Sequence, residues 1–244
     1  MFPIICKIGV IPVYSYGLML AIAVIVGSSF MAREAKSSGI KPDLIYDFLF
    51  WVMVFGVIGA RVFFVVLNWD YYSQNLLEII MVNKGGLAFQ GGVVGGSVAA
   101  VIFIKFSKLN LISILDLSAP TLALGQAIGR IGCYLNGCCQ GIASYSGLYS
   151  PVHDDYLIPV QLYSSLFLLS IFYCLMRHRK RSRSPGTTFA LYFVLAPLER
   201  FITQFFRYDY EPLFFGLGLF QIISLIFIAV GVYAYTVFKS KSPR

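Results

Sequence analysis

Charged side chains are scarce in this sequence of 244 residues: Asp, Glu, Lys and Arg together make up 12% of it. A soluble globular domain carries about 25%. With so few polar groups to cover a surface, a soluble enzyme, a disordered chain and a nucleic-acid binder are all disfavoured. Acidic residues are the scarcer sign, 11 against 19 Lys and Arg, for a net charge of +8. There are only five cysteines, which do not make a disulfide scaffold. There is no low-complexity stretch and no clear internal repeat. A cleavable signal peptide is not expected either, because Lys7 is the only basic residue before the first apolar run and that run is long enough to stay in a bilayer. What is abundant is apolar mass, 58% of the residues, with a mean hydropathy of +0.78.

That mass is gathered into seven runs, near 13–32, 45–67, 87–106, 111–131, 161–176, 187–206 and 217–238. Each approaches the roughly 20 residues that cross a hydrocarbon core. Their continuity excludes the alternation of barrel strands, and helices alone satisfy their own backbone in lipid. The expected fold is therefore all-α: a polytopic bundle of about seven spans forming one integral-membrane domain over 1–244, with an outer-side segment at 132–160. Basic residues orient it. Arg33, Lys36 and Lys41, then Lys105 and Lys108, then Arg177 to Arg183, and finally Lys239, Lys241 and Arg244 follow the odd-numbered spans, whereas the other side holds only Lys7, Lys84 and Arg207. This predicts an outer N-terminus and a cytoplasmic C-terminus. The Arg177–Arg183 run reads as a topology determinant touching anionic lipid, and His178 inside it needs no catalytic role.

Polar residues inside spans are costly, about 2.5–3.5 kcal/mol for a charge on insertion scales. Counting along the runs puts Tyr16, Arg61, Gln90, Arg130 and Arg200 on five different spans at one level, near the outer leaflet. A snorkelling arginine explains any one of these, but a shared level predicts one polar cavity facing outward. Arg200, Gln204 and Arg207 recur at i, i+4 and i+7 and so share a helical stripe. Two guanidiniums and an amide suit a phosphate, which arginine binds bidentately. The competing reading is an internal ion pair with Glu199 or Asp209. Asp116 is expected to cap its own span. Among Cys133, Cys138 and Cys139 the two separated pairs of standard zinc modules are missing. Small buried cysteines, or one disulfide, are expected there rather than a metal, and Cys6 and Cys174 read as filler.

Several segments carry a resemblance. Gly129-Arg130-Ile131-Gly132-Cys133-Tyr134-Leu135-Asn136-Gly137-Cys138-Cys139-Gln140-Gly141 resembles the hallmark loop of prolipoprotein diacylglyceryl transferases. Tyr16-Gly17-Leu18, Gly59-Ala60-Arg61, Gly85 to Gly92, Pro159-Val160-Gln161-Leu162-Tyr163, Arg200 to Arg207 and Gln221-Ile222-Ile223-Ser224 resemble further motifs of that family, in its order and over nearly the whole chain. The resemblance implies an enzyme of the bacterial plasma (inner) membrane, multi-pass, working toward the outer leaflet without a cofactor. It would move the diacylglyceryl group of phosphatidylglycerol onto the lipobox cysteine of a prolipoprotein signal peptide, with a thioether formed and a glycerol phosphate released. It also implies catalytic roles for Arg130, Arg200 and Gln90, and substrate contacts for Tyr16, Arg61, Arg130, Asn136, Gly141, Gln204 and Arg207.

The chain departs from the family pattern in places. Gln90, Ile158 and Gln204 stand where the family often has His, His and Glu, and Cys133 and Cys138 where some members have Asn and Glu. Glutamine takes no proton near neutral pH, so a histidine-based mechanism is not expected. His153, in the outer loop with Asp154 and Asp155, reads as a solvated loop residue. The alternative function is a phospholipid-binding or anion-transporting membrane protein without transfer chemistry.

Overall fold

The computed structural model describes residues 3–8, 11–81, 85–182 and 184–240; Lys84, Arg183, Lys241 and Arg244, among the orienting charges, lie outside that set. Helices occupy all seven expected runs: α1 (Ser15–Ser37), α2 (Pro42–Leu67), α4 (Phe89–Phe106), α5 (Leu111–Asn136), α6 (Val160–Arg181), α7 (Thr187–Gln204) and α8 (Leu219–Ser240), with a one-turn α3 (Trp69–Tyr72) between α2 and α4. All but α3 and α7 are long and apolar enough to cross a membrane. Large apolar side chains such as Phe50, Trp51, Leu166 and Phe167 point outward, as expected of surfaces wetted by lipid. Two small antiparallel hairpins escaped the sequence reading. They are β1 (Ile4–Ile8) with β2 (Ile11–Tyr14), and β3 (Ala143–Ser150) with β4 (Asp155–Leu157).

The chain forms two compact units, Met1–Met31 with Ile112–Arg244, and Ala32–Leu111. The smaller unit is built on α2 against α4, and glycine sets their separation. A Cβ on Gly59 would lie 2.5 Å from the Gly91 carbonyl oxygen and 3.0 Å from Gly95 Cα. Without side chains at these points the two backbones touch, which is how helices gain packing energy in lipid. The tightest pair is thus Gly91 and Gly95, whereas Gly92 and Gly96 face α2 at a looser 3.5 Å.

In the larger unit, Ala119 and Ala123 of α5, Leu175 of α6 and Tyr192 of α7 form a buried core. The Tyr192 hydroxyl accepts a 2.9 Å hydrogen bond from Gln126 Nε2. Asp116 does not cap its own helix. Its carboxylate accepts from the amides of Gly186 (2.6 Å) and Phe189 (2.8 Å), so it caps the N-terminus of α7 from across the bundle. The reason is chemical: the N-cap of α7 is Gly186, which has no side chain to satisfy the orphan amides of its first turn.

Candidate functional site

The site residues of the larger unit gather where α5 and α7 end. Helix α5 runs to Asn136, beyond the expected boundary at 131, and therefore carries Arg130 within it. It stops in a Schellman motif. The amide of Gly137 donates to the Tyr134 carbonyl (3.2 Å) and that of Cys138 to the Cys133 carbonyl (3.1 Å), with Gly137 in the left-handed region at φ 77°. Only glycine enters that region without steric cost. The motif folds the chain back so that Cys138 lies over Cys133, and the Asn136 side chain hydrogen-bonds the Cys138 thiol. Cys139 also takes a positive φ, 61°, which is uncommon for a residue with a Cβ and marks a backbone held in place by its surroundings.

What holds it is a set of backbone stitches to the segment after α7 and to the one before α6. Tyr208 N donates to Gln140 O (3.0 Å), Ile142 N to Phe206 O (2.9 Å) and Gly141 N to Ile158 O (3.1 Å). Gly141 is enclosed: a Cβ there would lie 2.5 Å from the Ile158 oxygen and 2.8 Å from the Phe206 oxygen. Gln161 Nε2 adds a 2.7 Å bond to the Cys138 carbonyl. Gln161 was visible in the sequence only as part of a motif. Its burial at 1% exposure identifies it as the side chain that fixes this loop on α6.

Helix α7 ends at Gln204, so Arg207 is not on its stripe but on the following turn, bridged to Gly141. Its guanidinium makes a bidentate ion pair with Asp209, Nε to Oδ1 at 2.7 Å and Nη2 to Oδ2 at 2.6 Å. It also reaches the Cys139 thiol. Of the two readings of that stripe, the ion pair therefore holds for Arg207. The hydrogen bond from Arg207 keeps the Asp209 carboxyl below the usual carboxylate range. Hydrogen bonds from the Cys133 and Cys138 thiols, reinforced by Arg207, hold the Cys139 thiol below its ordinary range. The three sulfurs of Cys133, Cys138 and Cys139 lie within 4.8 Å of one another. All three are free thiols, so of the two expectations for them the structure has cysteines without a disulfide.

Arg130 and Arg200 differ from Arg207. Both are half-buried, and the charges of Arg130 and Arg207 act together on Arg200. Among the described residues, neither donates a hydrogen bond or forms an ion pair with a protein acceptor. Arg200 lies over the Phe220 ring, 4.9 Å from its centroid, and the neighbouring Glu199 carboxylate accepts from Ser164 while its charge acts on both arginines. Tyr16 enters the same field: Arg130 and the three cysteines all act on its hydroxyl. Gly132 lets that helix approach, since a Cβ there would lie 3.0 Å from Met19 Cβ and 3.4 Å from the Tyr16 ring. Gln204 is 3% exposed, and its Oε1 has no hydrogen-bond partner among the described residues.

Arg61 is placed differently from the other arginines. It is 7% exposed, and each of its five N–H groups is already spent. Nε donates to Ile79 O (2.8 Å), Nη1 to Gly85 O (2.7 Å) and Gly86 O (2.9 Å), and Nη2 to Glu78 O (2.5 Å) and Met81 O (3.2 Å). A guanidinium offers five donors and no more. Arg61 therefore ties the backbone at 78–81 to that at 85–86 within the smaller unit. Gln90 lies in the same unit, exposed in the first turn of α4. A concavity of about 720 Å³ between α6 and α8, lined by Arg177, His178 and Tyr235 among others, contains none of the predicted site residues.

Comparison with known proteins fits this arrangement. The sequence model of the family described as prolipoprotein diacylglyceryl transferase matches residues 3–237. A phosphatidylglycerol–prolipoprotein diacylglyceryl transferase of Staphylococcus xylosus is 34% identical over 256 residues, covering 99% of this chain and 92% of the relative. Proteins of the same name from Lactiplantibacillus plantarum (33% identical, 92% of this chain, 84% of the relative) and Clostridioides difficile (34%, 93% and 91%) match at similar levels. A match of this level over nearly the whole chain leaves one assignment: the chain belongs to the prolipoprotein diacylglyceryl transferase family.

Proposed function

We propose that this protein transfers the diacylglyceryl group of phosphatidylglycerol to the cysteine thiol of a prolipoprotein, the first step of bacterial lipoprotein maturation. One observation carries the reading onto these residues. Arg130 and Arg200 are two half-buried guanidiniums whose charges act on one another and share the single buried carboxylate of Glu199, with no hydrogen-bond acceptor of their own among the described residues. Two like charges brought together out of water cost free energy unless an anion joins them. A phosphodiester meets both forks.

In the reaction, the thiolate sulfur attacks the glycerol carbon that bears the phosphate. The S–C bond forms as the C–O bond breaks, and its electron pair passes to the phosphate oxygen, so a glycerol phosphate leaves as an anion. Arg130 and Arg200 bind the phosphate in the ground state and take up the charge that develops on the leaving oxygen, the larger effect on rate. Tyr16, Asn136, Gln204 and Arg207 shape the walls, and Gly141 keeps the loop close. The family resemblance adds Gln90, whose amide donates and accepts hydrogen bonds but cannot act as the base. The substrate's partner determinants, a lipobox and a signal peptide, are carried by the same resemblance. So is the placement of the work at the outer leaflet of the plasma membrane, which the distribution of basic residues supports.

The test uses the purified full chain, phosphatidylglycerol labelled in its acyl chains and a lipobox peptide. Label on the peptide cysteine establishes the transfer. Label that stays in lipid, with phosphatidylglycerol still bound, would instead favour a phospholipid-binding or anion-transporting protein.

A further inference from the structure

We propose that Cys133, Cys138 and Cys139 bind a thiophilic divalent cation of the zinc type, leaving a fourth position open to the thiol of the acceptor. The metal site stands on geometry alone; its part in catalysis rests on the transferase function proposed above.

The three sulfurs already lie within 4.8 Å of one another and are half-buried. With Zn–S bonds of about 2.3 Å, the sulfurs of a tetrahedral site sit about 3.8 Å apart. The trio thus needs to contract by about 1 Å at most. A disulfide would use two of these thiols and leave the third without a reason to converge, whereas a metal uses all three. The scaffold is firm: the Schellman cap places Cys138 over Cys133, the stitched loop holds Cys139 at positive φ, and Gln161 fixes the Cys138 carbonyl. Three thiolates around a divalent cation carry a net charge of −1, and the Arg207 guanidinium, although paired with Asp209, also reaches the Cys139 sulfur. Three protein ligands with one open position is the arrangement of catalytic rather than structural zinc.

A thiol that takes the open position gives up its proton to solvent, because a coordinating thiol is deprotonated by the metal. The bound sulfur then attacks the glycerol carbon as above, and the thioether, a weaker ligand, leaves. This supplies what Gln90 cannot. At pH 7 a thiol of pKa about 8.5 is about 3% thiolate, so full deprotonation raises the reactive fraction about 30-fold.

The experiment loads the full chain in detergent with Co²⁺ in place of Zn²⁺. The expected result is one metal per chain, with thiolate-to-cobalt charge-transfer absorption that disappears in Cys138→Ser and Cys139→Ser and persists in Cys174→Ser. A lipobox peptide should shift the cobalt ligand-field bands, and its Cys→Ser counterpart should not. Chelation should lower the transfer rate by about 30-fold at pH 7. Metal below a tenth per chain with no charge-transfer band in the wild type, or a disulfide among the three cysteines by mass spectrometry, overturns the site. Transfer that continues undiminished after chelation overturns its catalytic role and leaves the transferase function intact. Bound cobalt that responds to the peptide, with no label transferred, overturns the transferase function and leaves the metal site standing.

Discussion

Replacing Arg61 by lysine removes at least two of the five N–H donors that now satisfy the carbonyls of Glu78, Ile79, Met81, Gly85 and Gly86. An ammonium has three donors and no planar fork. Each buried carbonyl left without a partner costs about 1–3 kcal/mol, so Arg61→Lys should destabilise the smaller unit by roughly 2–6 kcal/mol. For a chain of this size that lowers the melting temperature by roughly 5–20 °C. Thermal melting in mild detergent measures the loss, and limited proteolysis should cut within 76–86 in the variant before the wild type. The damage should appear as less folded protein rather than as a raised KM for phosphatidylglycerol. If Arg61→Lys melts with the wild type while that KM rises tenfold, Arg61 is a headgroup ligand and the argument from its spent donors is wrong.

Other outcomes follow from the same geometry. Arg130→Ala and Arg200→Ala should each lower kcat/KM by about 10²–10³, as loss of one charge-stabilising donor does elsewhere. The double variant should fall well short of the product of the two, because both act on one phosphate; steady-state kinetics with labelled lipid decides it. Gly91→Leu should prevent the close approach of α2 and α4 and cost about 1–3 kcal/mol or more, read as lost folded yield and a lower melting temperature. Asp116→Ala should remove the cap on α7 and cost about 1–2 kcal/mol, visible in the same melting assay. The Arg207–Asp209 pair sets a pH dependence. The folded-state pKa of Asp209 lies below its unfolded value, which is about 3.9. Its contribution is therefore present above that unfolded value and lost as pH falls through the depressed folded one. The melting temperatures of wild type and Asp209→Asn should differ by a constant amount from pH 5 to 8 and converge only in acid.

The helices were legible because their cause is local. A run of about 20 apolar residues has one stable form in lipid, and all seven runs became helices. Boundaries moved where an end depends on partners: α5 continues to Asn136 because the Gly137 cap lies there, and α7 stops at Gln204, which takes Arg207 off the expected stripe. The hairpins were missed because their strands are short and lack a clean alternation.

The residue types of the site were also readable, since a charge within an apolar run stands out whatever the fold. What each arginine does was not. Arg61, Arg130, Arg200 and Arg207 look alike along the chain, yet one is spent on five carbonyls, one is paired with Asp209 and two have no protein acceptor among the described residues. Those fates depend on which carbonyls and carboxylates the tertiary structure brings within 3 Å or so, a property of distant segments that no local pattern encodes. The same holds for the cysteines. Sequence places Cys133 five positions before Cys138, and only the folding back of the chain at Gly137, secured by hydrogen bonds from the segments around Ile158 and Phe206, brings three sulfurs to one point.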